Sequence, residues 1–390
     1  MMRMLRVFLL CITLLAAPMS LSADVKKHLD KASSATKLVE NLAFRIRSLK
    51  RHEHYDEFFQ KLSKRQGFNG VVLIAENHRV VYRGVFGYSD LKKRSDLQID
   101  DQFQLASVSK QFTAVAIMML KERGFLNYDD PVTRFFPEFP YENVTIRHLL
   151  THRAGLPDYR WFMDSFITDK TTPLSNKMVM DHIAEMMPSP YFSSGSRFSY
   201  SNTGYAVLAS IVEKISGVSF SAFMQAAIFQ PLGMKNTIVY SKSECANLPG
   251  VVCGYERNGA YQAENDCFNG VTGDKNIYST IDDLFLWDQA LYNNRLLKAE
   301  TLSEAYQPGS PEKKGVRNYG FGWRLNLQNP NKQVVYHGGW WRGFRTLFIR
   351  NTTDGNTLIV LSNKVNYSIN SLQVVTGELL GLNADSLDSE

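Results

Sequence analysis

Apolar positions along this chain fall into three zones with different periods. Gly70-Val-Val-Leu-Ile-Ala75 and Val80-Val-Tyr-Arg-Gly-Val-Phe86 are strand-length runs on either side of Asn77-His78, which predicts a hairpin. After the extended run Phe103-Gln104-Leu105-Ala106, the stretch Phe112, Ala114, Val115, Ala116, Ile117, Met118, Met119 and Leu120 is hydrophobic nearly all round, the mark of a buried central helix that stops at Gly124. From there to about Leu291 the pattern is mostly helices and loops, with Pro137, Pro140, Pro157 and Pro188 as breakers. Within it Tyr205, Leu208, Val212 and Ile215 mark an amphipathic helix ending at Gly217. The last zone predicts successive strands over Tyr319 to Leu327, Gln333 to Tyr336, Arg345 to Arg350 and Thr357 to Leu361, then a closing helix from Ser371 to Leu380. Strands at both ends with helices between them predict an α+β fold. One antiparallel sheet is built from both chain ends and flanked by helices, a mostly helical lobe is inserted over about 125–290, and a cleft lies between the layers.

Upstream of that sheet, Leu38, Leu42, Ile46 and Leu49 recur at helical spacing, followed by Phe58, Phe59 and Leu62. Residues 24–66 are therefore expected to be a helical extension packed outside a domain spanning 67–390, with a membrane-surface role as the sharper alternative. Residues 1–23 carry the features of an export signal: basic Met1 to Arg6, an apolar run from Val7 to Ala17, and small residues at Leu21-Ser22-Ala23. Periplasmic or secreted localisation is the expectation.

Composition narrows the partners. At 390 residues and 44% hydrophobic, the chain can bury a large core. The formal charge of +6 includes Arg3 and Arg6 of the expected signal, and no dense basic cluster interleaves with aromatics, so nucleic acid is not an expected partner. Cys245, Cys253 and Cys267 fall within a short span, which allows one local disulfide in an oxidising compartment. No Cys-x-x-Cys or adjacent histidine accompanies them, and neither a metal nor a cofactor is expected.

The candidate chemistry starts at Ser107-Val-Ser-Lys110. Residues i and i+3 share a helix face, so the Ser107 hydroxyl and the Lys110 amine fall within hydrogen-bonding reach. A lysine at the mouth of an apolar helix is partly desolvated, which favours its neutral, proton-accepting form. The unpaired N–H groups of a first helical turn supply part of an oxyanion site. Two further stretches combine with it. Tyr200-Ser201-Asn202 precedes the Tyr205 helix, where Asn202 or Ser201 is a cap by position, while a phenol beside a lysine is able to shuttle protons. His337-Gly338-Gly339-Trp340 ends a late strand, where glycines let backbone and substrate approach closely.

Ser-x-x-Lys, then Tyr-x-Asn, then a basic residue followed by glycine, in that order, resembles the serine β-lactamase and penicillin-binding-protein superfamily. It is most similar to the branch of class C β-lactamases, D-Ala-D-Ala carboxypeptidases and related esterases and D-aminohydrolases. The resemblance runs from about Gly67 to Leu382 and includes Thr145 to His152, Ala154 to Pro157, Phe229 to Met234 and Tyr278 to Leu284. It implies that Ser107 is the acylated nucleophile, Lys110 its neighbouring base, and Tyr200 a proton relay. It further implies that Asn202 orients substrate, that His337, Gly338 and Gly339 form the substrate-side strand, and that the Trp340 backbone is the second oxyanion donor. By the same resemblance, histidine at 337, where class C β-lactamases have lysine, is more similar to D-Ala-D-Ala peptidases, D-amino-acid amidohydrolases and esterases. An imidazole, charged only part of the time near neutral pH, holds a carboxylate less firmly than a lysine, which weakens a dedicated β-lactamase reading. Arg342 or Arg345 is a candidate for the missing charge, Trp340 and Trp341 for walls of the cleft. Ser194-Gly195 and Arg153 are two more departures from the family pattern. The expected protein is a metal-free serine hydrolase acting on D-amino-acid peptides or amides, β-lactams or small esters. A penicillin-binding sensor without turnover is the alternative.

Overall fold

The structure is a computed structural model that describes residues 49–164, 167, 169, 172–240, 250–256, 261–262 and 267–380. The chain forms two compact units, Met1–Glu53 and His54–Glu390. Described residues 49–53 of the first are helical. The expected signal at 1–23 and Cys245 lie outside the described residues.

Seven strands make the main sheet of the second unit: β1 (Gly70–Glu76), β2 (Arg79–Phe86), β3 (Arg317–Tyr319), β4 (Arg324–Asn326), β5 (Val334–Trp341), β6 (Phe344–Asn351) and β7 (Asn356–Ser362). They lie in the order β3-β4-β5-β6-β7-β1-β2, every pairing antiparallel. β1 pairs with β7 from Gly70↔Ser362 to Ala75↔Thr357, so the two chain ends do share one sheet. The β1–β2 hairpin turns at Asn77 and His78, both left-handed at φ 49° and 61°, the twist that suits a two-residue turn.

Side chains on a strand alternate between faces. Val71, Leu73 and Ala75 join the central core with the helical lobe, while Val72 and Ile74 face the opposite way. Helical residues 54–66 belong to this unit: Phe59 stacks on Tyr82 (ring centroids 5.8 Å) and neighbours Phe68 and Phe86, and Tyr55 donates to Glu76 at 2.9 Å. The compact unit thus begins at His54, inside the segment expected to be an extension.

Helix α1 (Ser109–Glu122) is the axis of the core, its residues from Ser109 to Leu120 all buried. It ends before Gly124, whose φ of +79° is the left-handed conformation expected there. Helix α2 (Asn202–Ser216) packs beside α1 and closes at left-handed Gly217. Helix α3 (Ile281–Tyr292) puts Trp287 on Phe112 at 4.1 Å, and helix α4 (Gln373–Leu380) ends the described chain. A buried ion pair ties the sheet to α3: Arg350 donates to Asp288 at 2.6 Å and to the Tyr306 hydroxyl at 2.7 Å.

Four local expectations change. The run Tyr319 to Leu327 is two strands, because Gly320 and Gly322 turn the chain between them; Gly322 (φ +85°) lies so close to α1 that a Cβ there would stand 2.9 Å from the Lys110 carbonyl. The strand expected over Gln333 to Tyr336 runs on to Trp341. Pairing of Gly338 with Leu347 and Gly339 with Thr346 carries it through the glycines, so His337 sits mid-strand, and the turn into the next strand lies at Arg342-Gly343. Two short strands, Ile238–Val239 and Ile277–Ser279, join Phe103–Gln104 in a small sheet inside the region read as helices and loops. Ser107 occupies a 3₁₀ turn, Ala106–Val108, rather than the α-helix itself.

Candidate active site

The turn that carries Ser107 is set by its neighbours. Ala106 adopts φ +48°, a conformation that costs a non-glycine residue about 1–2 kcal/mol and persists only where packing holds it. The packing is visible. Leu105 N–H donates to the Ile277 carbonyl (2.8 Å), Thr346 Oγ1 donates to the Leu105 carbonyl (2.8 Å), and Gly339 of β5 lies directly against Leu105 and Ala106. Ser107 is left half-buried and accessible beneath β5.

Lys110, one turn on, is fully buried. Its Nζ donates to Ser107 Oγ (3.1 Å), Asn202 Oδ1 (2.9 Å) and the Asp274 main-chain carbonyl (2.8 Å). Ser109, by contrast, faces away and accepts from the Ile277 N–H. Asn202 opens α2, whose cap is Ser201, so its amide is free of capping duty and turns to Lys110.

Tyr200 lies alongside: Lys110 Nζ is 4.9 Å from its ring centroid, and the Arg324 guanidinium is 5.4 Å away. His152 packs against the same ring at 4.3 Å, tilted by 40°, and accepts from the Ser201 N–H at 3.1 Å. His337 stands 6.1 Å from Tyr200, ring to ring, and is completely buried. Its Nδ1–H donates to the Gly338 carbonyl (2.6 Å), leaving Nε2 to accept from the Tyr319 hydroxyl (3.0 Å). The structure therefore brings Ser107, Lys110, Tyr200, Asn202 and His337 together, with Gly339 of β5 against the turn that carries Ser107 and with Gly338 and Trp340 on either side of it along the same strand.

Both histidines are held neutral. Burial pushes His337 well below the usual imidazole range, helped by the Arg324 and Lys110 charges. His152 falls for the same first reason, with Lys110, His337 and Arg324 adding to it. Each binds fewer protons folded than unfolded, so their stabilising contribution is complete above the ordinary histidine pKa of about 6.5 and is lost as pH falls below it. Melting temperature is expected to drop from pH 7 to 5 in the native protein. A His152→Gln variant should show a shallower drop, and parallel profiles would contradict the assignment.

Beside this centre Trp161, Phe268, Trp340 and Trp341, with Arg160 and Arg342, line a cleft of about 480 Å³. Trp340 and Trp341 line this cleft together with the carboxylates Asp164 and Glu256, while Ser107, Lys110 and Tyr200 are not among its lining residues. Arg342 lies over Trp341 at 5.4 Å and Arg345 over Trp340 at 5.7 Å, so Arg342 is the one of the two that reaches the cleft. The two departures near 153 and 195 prove to be coupled: Arg153 donates to the Gly195 carbonyl and to Ser310 Oγ (2.7 Å), with Glu312 as ion-pair partner.

Sequence reasoning missed Arg324, Tyr319, Asp274 and His152. The first three carry no motif, since each reaches the site through tertiary packing. His152 belongs to a stretch that the family resemblance covers without giving it a role in the chemistry, yet it touches Tyr200. Cys253 is half-buried and Cys267 buried, while the third cysteine is outside the described residues.

The sequence pattern defining the Beta-lactamase family matches residues 55–369. Penicillin-binding protein 4* of Bacillus subtilis strain 168 is 36% identical over 330 residues, covering 80% of this chain and 72% of that protein. A D-aminopeptidase of Brucella anthropi is 27% identical over 288 residues, 72% of this chain but only 53% of its own length. Among solved structures, the octameric penicillin-binding protein homologue of Pyrococcus abyssi superposes with a TM-score of 0.73 at 26% identity, covering 85% of this chain and 78% of that one.

Proposed function

The chain belongs to the Beta-lactamase family, and from that premise we propose that it is an exported serine hydrolase working through an acyl-enzyme on Ser107. The observation that carries this reading is the contact of Lys110 Nζ with Ser107 Oγ at 3.1 Å, with Asn202 and Tyr200 around the same nitrogen. Ser107 Oγ attacks the substrate carbonyl carbon while its proton passes to the Lys110–Tyr200 pair. The oxyanion forms against the backbone N–H groups of Ser107 and Trp340, and the leaving group departs with the proton returned through Tyr200. Water then follows the same path to release the acyl group. Two cations within 6 Å of the Tyr200 ring, Lys110 and Arg324, favour negative charge developing on its oxygen.

His337 bears on substrate choice. His337, buried and neutral, offers no cation for a substrate's terminal carboxylate, which favours D-amino-acid amides, peptides cleaved from the amino end, and small esters. Arg342 in the cleft is the candidate cation for a carboxylate-bearing substrate, and β-lactams acylate the same serine. The D-aminopeptidase relative supports that preference. Export rests on the apolar run at Val7 to Ala17 and is tested by the N-terminal mass of the protein recovered from its host.

The decisive experiment is incubation with a fluorescent penicillin or a fluorophosphonate, followed by mass spectrometry. A single adduct on the peptide carrying Ser107 is expected, and its absence ends the proposal. A panel of nitrocefin, a D-Ala-D-Ala peptide, a D-amino-acid amide and a nitrophenyl ester then tests the substrate reading. Amide and ester should turn over faster than the carboxylate-ending peptide, whereas the reverse order would overturn the role given to His337.

A further inference from the structure

Behind Lys110 lies a second buried lysine that the proposed chemistry does not use. Lys275 is 4% exposed at the side chain, and its Nζ donates to the Tyr159 hydroxyl and to Asp274 Oδ2 at 3.2 Å. Tyr159 in turn donates to Asp274 Oδ2 at 3.1 Å, closing a ring of three hydrogen bonds among three fully buried groups. Burial pushes the Tyr159 phenol well above its ordinary range, so it stays protonated and able to donate. The same burial lowers Lys275, against the opposing pull of Asp274.

The backbone carrying this ring is under constraint. Gly273 has φ +97° and fits so closely against α2 that a Cβ would stand 2.4 Å from the Tyr205 carbonyl. Asn276, a non-glycine, sits at φ +74°, tied by its side chain to the Val271 carbonyl (2.8 Å) and to Gln104 (3.0 Å). Between these two left-handed residues the Asp274 carbonyl is aimed at Lys110 Nζ, and the Gly273 carbonyl accepts from Thr113 of α1 at 2.7 Å. Lys275 Nζ also lies 4.9 Å from the Trp341 ring, at the tip of the strand that carries the oxyanion position.

Burying a charged pair is costly, and an apolar contact would hold a loop without that penalty. What an apolar contact lacks is direction. We propose that Lys275, Asp274 and Tyr159 are positioning residues that fix the Asp274 carbonyl on Lys110, and so set the orientation of the lysine toward Ser107. This inference rests on the acyl-transfer reading, since it assigns a task to groups behind the same lysine.

Lys275→Met keeps the length and removes the donors; Tyr159→Phe removes one hydroxyl and serves if the first variant does not fold. The measurement is the rate of Ser107 labelling by a fluorophosphonate as a function of pH, with KM and kcat for a nitrophenyl ester. The groups facing Lys110 that bear on its pH profile are Ser107, Tyr200, Tyr205, His152, His337 and Arg324. Expected are a fall in labelling rate of roughly tenfold or more, a lower kcat at nearly unchanged KM, and a moved midpoint of the pH profile. Wild-type labelling rates in a folded variant would overturn the proposal. So would a loss that only tracks the folded fraction with the pH midpoint in place. Failure of the unmutated protein to label at all would instead sink the acyl-enzyme reading, so the two failures are distinguishable.

Discussion

Ser107→Ala should lower hydrolysis by about 10⁴-fold or more while leaving the melting temperature nearly unchanged. The side chain is half-buried and its one hydroxyl contact is to Lys110, so little packing is lost with it. Lys110→Met should cost activity on a similar scale. The double variant should be scarcely worse than either single one, because a nucleophile and the group that handles its proton act as one unit. Ester turnover and fluorophosphonate labelling measure both effects. Undiminished turnover in Ser107→Ala would place the chemistry elsewhere. Lys110→Met is expected to change stability too, since it leaves Asn202 Oδ1 and the Asp274 carbonyl without their donor, a penalty of about 1–3 kcal/mol for each buried group.

Gly339→Ala is the second large effect, and it acts through shape alone. A Cβ there would meet the Leu105 carbonyl oxygen at 2.3 Å, Thr346 Oγ1 at 2.3 Å and Ala106 Cβ at 3.1 Å. Leu105 is backbone and Ala106 is already in a left-handed conformation, so strand β5 and the Ser107 turn must move apart. Displacements of about 1 Å at reacting groups cost on the order of 10²-fold in rate, and that loss in kcat is expected here. Gly70→Ala is the comparison: its Cβ would meet the Leu361 carbonyl at 2.2 Å, in the β1–β7 ladder rather than beside Ser107. It should lower the melting temperature while the folded fraction labels Ser107 at the normal rate. Equal labelling rates in the two folded variants would contradict the role given to the glycine in β5.

Most of the architecture could be read from local pattern, because β1 and β7 are apolar on both faces and helix α1 is apolar nearly all round from Phe112 to Leu120. The three ordered motifs located Ser107, Lys110, Tyr200 and His337 because each motif pairs a reactive side chain with a local geometry that has its own signature. Limits appeared where tertiary contacts override local chemistry. The glycines after His337 read as the end of a strand, yet pairing with β6 carries them through. Tyr319 to Leu327 read as one strand, yet Gly322 must turn to clear Lys110. Asp274 contributes a main-chain carbonyl, which any residue type provides, so nothing in its identity announced it. Arg324 reaches Tyr200 from a strand 124 positions further along, a distance no spacing rule spans.

The pairing of Gly70 with Ser362 has a consequence for biogenesis. A nascent chain arrested on the ribosome before Ser362 already carries the nucleophile, the lysine and the phenol, but its first hairpin has no neighbour beyond itself. Loop closure over about 290 residues must precede assembly of the central strands, which places completion of the sheet after Ser362 has been synthesised. Until the strand that ends at Ser362 is in place, Ser107, Lys110 and Tyr200 have no completed sheet to hold them together, so activity is expected to appear late, with the last central strand.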